Sequence, residues 1–131
     1  MNGDELLARG IHLFNHRQYF ECHEVWEELW TPERGPRRLF LQALIHFAVA
    51  LHHRERGNVT GAVRQLGKGL HKLAAYLPSC EGIDTARLHR EGLRVLDCLE
   101  TGAAECEYPL IHLSGTDNRL LSSVDSRSCK H

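Results

Sequence analysis

Five carboxylate and imidazole side chains, able to bind a metal ion or carry a proton, stand within eight positions of one run: Glu21, His23, Glu24, Glu27 and Glu28, in Y-F-E-C-H-E-V-W-E-E-L-W from Tyr19 to Trp30. The run is rich in helix formers and holds neither Gly nor Pro, so it is predicted as one helix. Residues three and four apart then share a face. Phe20, His23, Glu27 and Trp30 form one stripe, with Glu24 at its edge. Cys22, Val25, Trp26 and Leu29 form an apolar stripe on nearly the opposite side. Ionisable groups held inside a protein are costly unless paired or metal-bound. The first stripe, read as facing inward, is therefore the candidate site. Glu21 and Glu28 lie off it and are expected on a solvated face.

A second set of polar residues stands on the next helix, expected from about Arg37 to Arg56. Leu39, Gln42, Ala43, His46, Ala50 and His53 recur there at helical spacing. Thr31-Pro32-Glu33-Arg34-Gly35-Pro36 makes the connection short, so the two helices should pack antiparallel and their stripes should meet. His23 and Glu27 would then approach Gln42, His46 and His53. Two or three imidazoles with one or two carboxylates form a ligand set for zinc, iron or manganese, and bundles build metal sites from inward side chains on facing helices. On this reading His23, Glu27 and His53 are the ligands, His46 is an optional fourth, and Glu24 acts as general base or supports a ligand. The natural chemistry is hydrolysis by metal-bound water, on a small-molecule substrate that nothing in the sequence names.

A purely structural reading stands beside it. An inward His–Glu pair can hydrogen-bond to Gln or His on the next helix and fix register with no ligand. The protein would then be a non-enzymatic interaction or dimerisation module. The pattern is not H-E-x-x-H, since Glu27 follows His23-Glu24-Val25-Trp26, and no E-x-x-H pair falls on two helices. No Ser-His-Asp order and no phosphate loop is present. Trp26 and Trp30 are expected in the core. The turn R-G-N-V-T-G-A resembles a tetratricopeptide hairpin, but no second copy follows and solenoids need several.

The elements that must position these residues form an all-α antiparallel bundle of about five helices. Their expected spans are Glu5 to Asn15, Tyr19 to Trp30, Arg37 to Arg56, Val59 to Leu77, and from an Asp84 N-cap to about Thr101. Ile83 and Leu88 are spaced as a hydrophobic staple for the last. Leu39 to Leu51 is apolar except for Gln42 and His46; it is too short for a membrane span and reads as the buried central helix. The bundle domain is assigned to 1–102. Residues 103–131 are an extended segment, around Tyr108 to Leu113, followed by a mobile tail poor in apolar residues.

The 131 residues fit one domain with a real core. Net charge is −1 and the signs are interspersed, which argues against nucleic-acid and anionic-membrane binding. Ten histidines make the charge pH-sensitive. The five cysteines are odd in number and widely spaced, with no C-x-x-C pair. They read as reduced thiols, and with no secretory signal in view the expected compartment is the cytoplasm. A homo-oligomer is a possible state.

Three segments together, Y-F-E-C-H-E-V-W-E-E-L-W, R-L-F-L-Q-A-L-I-H-F-A-V-A-L-H-H and R-G-N-V-T-G-A, resemble a family of small helical bacterial and archaeal proteins catalogued as domain of unknown function 309. The likeness runs from about Gly10 to Leu88. The positions matching the family's pattern are Phe20, Glu21, His23, Glu24, Glu27, Trp30, Gln42 and one of His52 or His53. The family tends to have Gly where Arg17 and Ala43 stand, and often Gln where His46 stands. The resemblance implies the helical fold and the same cluster of residues. It implies no activity.

Overall fold

Asn2 accepts the Glu5 N–H on its side chain (2.8 Å) while the Glu5 carboxylate accepts the Asn2 N–H (2.9 Å), a capping box that starts α1, Gly3–Asn15. The structure is a computed structural model describing residues 2–114. It continues with α2 (Tyr19–Trp30), α3 (Arg38–Glu55), α4 (Val59–Leu73) and α5 (Thr85–Thr101). The described residues contain no strand, only isolated bridges joining Cys80 to Ile83 and Ile83 to Leu113. No described helix is long and apolar enough to cross a membrane. The all-α architecture expected from the periodicity is the one observed. α4 is shorter than its apolar pattern suggested: it tightens into a 3-10 turn at Ala74–Tyr76, and Leu77 and Pro78 leave the helix exposed.

α3 is the centre. Phe40, Leu41, Ala43, Leu44, Phe47 and Ala48 are all fully buried, with α2 and α4 packed against the helix. Leu39 does not share that burial; it is 54% exposed at the first turn, where no neighbour covers it. Two small residues set the depth of packing. A Cβ on Gly69 of α4 would come to 2.9 Å from the Phe47 ring, and one on Gly92 of α5 to 2.8 Å. Gly10 of α1 lies so close to the fully buried Trp26 indole that any side chain there would overlap it.

The α2 stripe Cys22–Trp26–Leu29 faces this core. The opposite stripe does not point into the bundle as the sequence suggested. Phe20 is 48% exposed and Glu27 is exposed too, because α1 and α3 cover α2 from the side of the Cys22–Trp26–Leu29 stripe and leave its other flank as a rim. Glu21, Glu24 and Glu28 are exposed.

After α5, Gly102 turns the chain with a left-handed φ of 74°. Residues 103–113 then run back over the bundle as an extended strap. Asn15 clamps the strap with two bonds, donating to the Ile111 carbonyl (2.9 Å) and accepting its N–H (2.8 Å). Ile111 is 3% exposed and joins the core. Tyr108 stacks on Tyr19 and lies between two guanidinium groups, Arg17 at 4.1 Å and Arg54 at 4.0 Å from its ring centroid. The reading of all five cysteines as free thiols is corrected here: Cys98 and Cys106 form a disulfide, because the Gly102 turn brings their Cα atoms to 5.8 Å. The mobile tail expected beyond Ser114 lies outside the described residues.

Arg17 has a left-handed φ of +61°. An L side chain there costs about 1 kcal/mol, set against its stacking on Tyr108. Arg17→Gly and Arg17→Ala both lose that stacking, but only Ala keeps the backbone cost. Urea melts should therefore find Arg17→Gly the more stable of the two by about 1 kcal/mol. Equal midpoints would show that the turn relaxes to another conformation.

Candidate functional site

The exposed flank of α2, the outer face of α3 and the facing side of α4 enclose an open crevice of about 250 Å³. His23, Glu27 and Trp30 come from α2, Gln42 and His46 from α3, and Gln65 from α4; Ile45 and Val49 give it apolar surface. Helix spacing explains the placement. His23, Glu27 and Trp30 lie one turn apart on α2, and Gln42, Ile45, His46 and Val49 lie on adjacent turns of α3. The antiparallel pairing then sets Trp30 at the Gln42 end and His23 near Val49.

His23 Nε2 lies 3.1 Å from Glu27 Oε2, a hydrogen-bonded pair with the two side chains 26% and 48% exposed. The Phe20 ring contacts both His23 (6.2 Å between centroids) and His52 (5.5 Å). Trp30 is capped by the Arg38 guanidinium at 4.0 Å. Its indole N–H is buried and meets no acceptor.

His46 is held on both ring nitrogens. Nδ1 lies 2.8 Å from Gln65 Oε1, and Nε2 lies 2.8 Å from Lys72 Nζ. An ammonium only donates, so Nε2 accepts from Lys72 and the ring proton sits on Nδ1, donated to Gln65. Burial holds the His46 pKa below its ordinary value; the Gln65 bond opposes this, while Lys72 and Lys68 add to it. The neutral ring thus pins α3 to α4.

The proposed ligands are therefore not gathered at one point. His23 and Glu27 meet as expected, and His46 lines the same crevice but has neither nitrogen free. His53 stands at the far end of α3, where its Nδ1 meets the Asn58 amide at 3.2 Å in the turn before α4. Glu24 points to solvent from the rim. Among the described residues no group of three or more His, Cys, Asp or Glu side chains is placed to hold a metal ion. Sequence reasoning missed Gln65 and Lys72. They are seven residues apart, two turns on one face of α4, a spacing visible in the sequence but hidden by attention to the apolar face. It also placed Trp30 in the core, whereas this residue is a partly buried wall.

The fold and crevice define a small all-helical protein with a polar recess between its second, third and fourth helices. Residues 7–65 match the model of a family described as domain of unknown function, DUF309. Every crevice residue named above falls within the matched stretch. The chain is also similar to YpuF, described as an uncharacterized protein, of Bacillus subtilis (strain 168). The two are 36% identical over 107 residues, which is 79% of this chain and 60% of that protein. The chain thus spans about three fifths of the length of the curated relative it matches.

The His46 arrangement predicts a sign for acid sensitivity. Its folded pKa lies below the ordinary 6.5, so the unfolded chain takes up the proton first. The stability contributed by the neutral ring is then complete above pH 6.5 and declines as pH falls below that value. His46→Gln removes this dependence. Chemical denaturation at pH 7.5 and 5.0 should show a larger loss on acidification in the wild type than in the variant. Identical losses would mean that the ring is not buried in its neutral form.

Proposed function

We propose that the protein is a non-catalytic binding module whose α2–α3–α4 crevice receives a hydrogen-bonding group of a partner, either another protein or a second copy of this chain. The observation that carries this is the Trp30 indole N–H, a buried donor with no acceptor in the wall of a recess. A buried unsatisfied donor costs on the order of 1–3 kcal/mol; a carbonyl or carboxylate oxygen seated in the crevice would relieve it once the Trp30 side chain turns to present its N–H. The amides of Gln42 and Gln65 line the same recess, with Ile45 and Val49 supplying apolar contact. Fixed polar groups over an apolar surface are the usual make-up of a small recognition pocket. His46 supports this role by locking α3 to α4 and so fixing the shape of the recess. The reading assigns no reaction to the site.

A divalent metal at His23 and Glu27 is the second reading, favoured by one measurement. Their 3.1 Å separation is close to what two ligands of one ion require, roughly 3–3.5 Å for bonds of about 2.1 Å. Glu24 would then be the nearby base, and zinc or manganese the natural ion.

Two experiments decide between them. In the first, the Trp30 indole and the Gln42 and Gln65 side-chain amides are followed by NMR during titration with a panel of short peptides bearing free carboxylates and carboxamides. Selective shifts at these groups, weakened at least tenfold in Trp30→Phe with the fold retained, are expected. A panel that moves none of them, with a monomeric wild type at every concentration tested, would remove the binding-module assignment. In the second, wild type and Glu27→Gln are melted with and without zinc and manganese. No difference is expected. A metal-induced rise in wild-type Tm that disappears in Glu27→Gln would transfer the site to the metal reading.

A further inference from the structure

We propose that Cys98 and Cys106 are a reversible dithiol–disulfide couple, exchanging with small thiols and thereby setting how firmly the 103–113 strap is held. The proposal rests on position. The bridge joins the last turn of α5 to the strap over a separation of eight residues, so it closes a short loop at the edge of the fold. Short loops constrain the unfolded chain less than long ones, and neither cysteine belongs to the buried core. A purely stabilising bridge would be better placed elsewhere.

Access points the same way. An attacking thiolate must reach a sulfur in line with the S–S bond. Both cysteines are partly exposed, and a cleft of about 290 Å³ lies against them, lined also by Arg94, Val95, Glu105 and Glu107. Cys22 shows the contrast. It is fully buried, its thiol donates to the Gly10 carbonyl at 3.2 Å, and burial pushes its pKa well up. It is closed to the same chemistry.

The consequence falls on the strap, because its anchors begin at the bridge itself. Arg54 donates to the carbonyls of Cys106 and Glu107, the latter at 2.8 Å, and its guanidinium then stacks on Tyr108. Further along, the Leu110 N–H is held by Glu91 (3.0 Å) and the Ile111 N–H by Asn15 (2.8 Å). Cutting the bridge removes the covalent tie to α5 and leaves the strap to these non-covalent contacts. The exchange balances with two external thiols. A first thiolate attacks one sulfur, forming a mixed disulfide and expelling the other cysteine as a thiolate, which takes up a proton. A second thiolate attacks the external sulfur of the mixed disulfide and releases the external disulfide and the second cysteine. Two electrons pass from the external thiols to the protein, and the reverse reaction re-forms the bridge.

The test uses the full chain in glutathione buffers of graded reduced-to-oxidised ratio, without denaturant. Differential alkylation and peptide mass spectrometry report Cys98 and Cys106 separately from the other cysteines. Hydrogen exchange reports the strap through the Leu110 and Ile111 amides. The bridge should open and close reversibly across the buffer series. In the reduced protein both strap amides should exchange at least tenfold faster, with the α3 core amides unchanged, and Cys98→Ser and Cys106→Ser should each reproduce the reduced state. A bridge absent from the oxidised protein, or reducible only after denaturation, would overturn the proposal. So would strap amides that exchange equally fast in both states of the wild type, a readout that does not depend on the variants folding.

Discussion

The Phe47 ring is where three helices are forced to agree. It is fully buried on α3, and Gly69 of α4 and Gly92 of α5 approach different edges of it. Neither neighbour has room for a side chain, so the ring sets the separation of α4 and α5 from α3. Interiors are packed too tightly for such a distance to drift. The helical Gly residues, which cost roughly 1 kcal/mol each against Ala as local helix formers, are recovered here as close approach. On the other side of the bundle Gly10 and Trp26 play the same part for α1 and α2. With these distances fixed, α3 is enclosed, and one strip of its surface is left between α2 and α4. That strip is the floor of the crevice.

The polar residues of the crevice divide by what the packing lets them do. His46 stands where α4 comes close, and its two nitrogens are taken by Gln65 and Lys72. A neutral, partly buried imidazole bonded at both ends fastens two helices, and a Gln in its place can make comparable bonds. His23 and Glu27 stand on the side where α2 has no further neighbour. They reach each other and remain accessible. Residues of similar chemistry thus take different roles according to which helix lies opposite.

The strap adds a second, separate layer of organisation. It supplies Ile111 to the core and Tyr108 to a stack that includes Tyr19, Arg17 and Arg54. Arg17 holds a left-handed backbone conformation where Gly would be at ease, and the stack is the contact it gains. Tyr19 lies beneath at 2% exposure, its hydroxyl buried and its pKa pushed up by that burial. The end of the chain beyond α5 is thereby joined to the α1–α2 turn at the opposite end of the sequence.

The sequence by itself determined the helices, most of their ends and the core face of each except α2. Apolar spacing, the Asn58 and Asp84 caps and the Gly102 stop are local, and local signals survive without a fold. It also singled out His23, Glu27, Gln42 and His46 as neighbours, since helical spacing and a short connection leave few ways to pack two helices. The tertiary structure alone decided which stripe of α2 became core, because both stripes are apolar and only the presence of a neighbour separates them. It decided that His53 falls at a helix end away from His23, because facing helices align at a register that neither sequence displays. It supplied Gln65 and Lys72 as the partners of His46 and brought Cys106 back to Cys98 through the Gly102 turn. Each of these is a distance between residues far apart along the chain or across a turn, and such distances come from packing rather than from the period of any single helix.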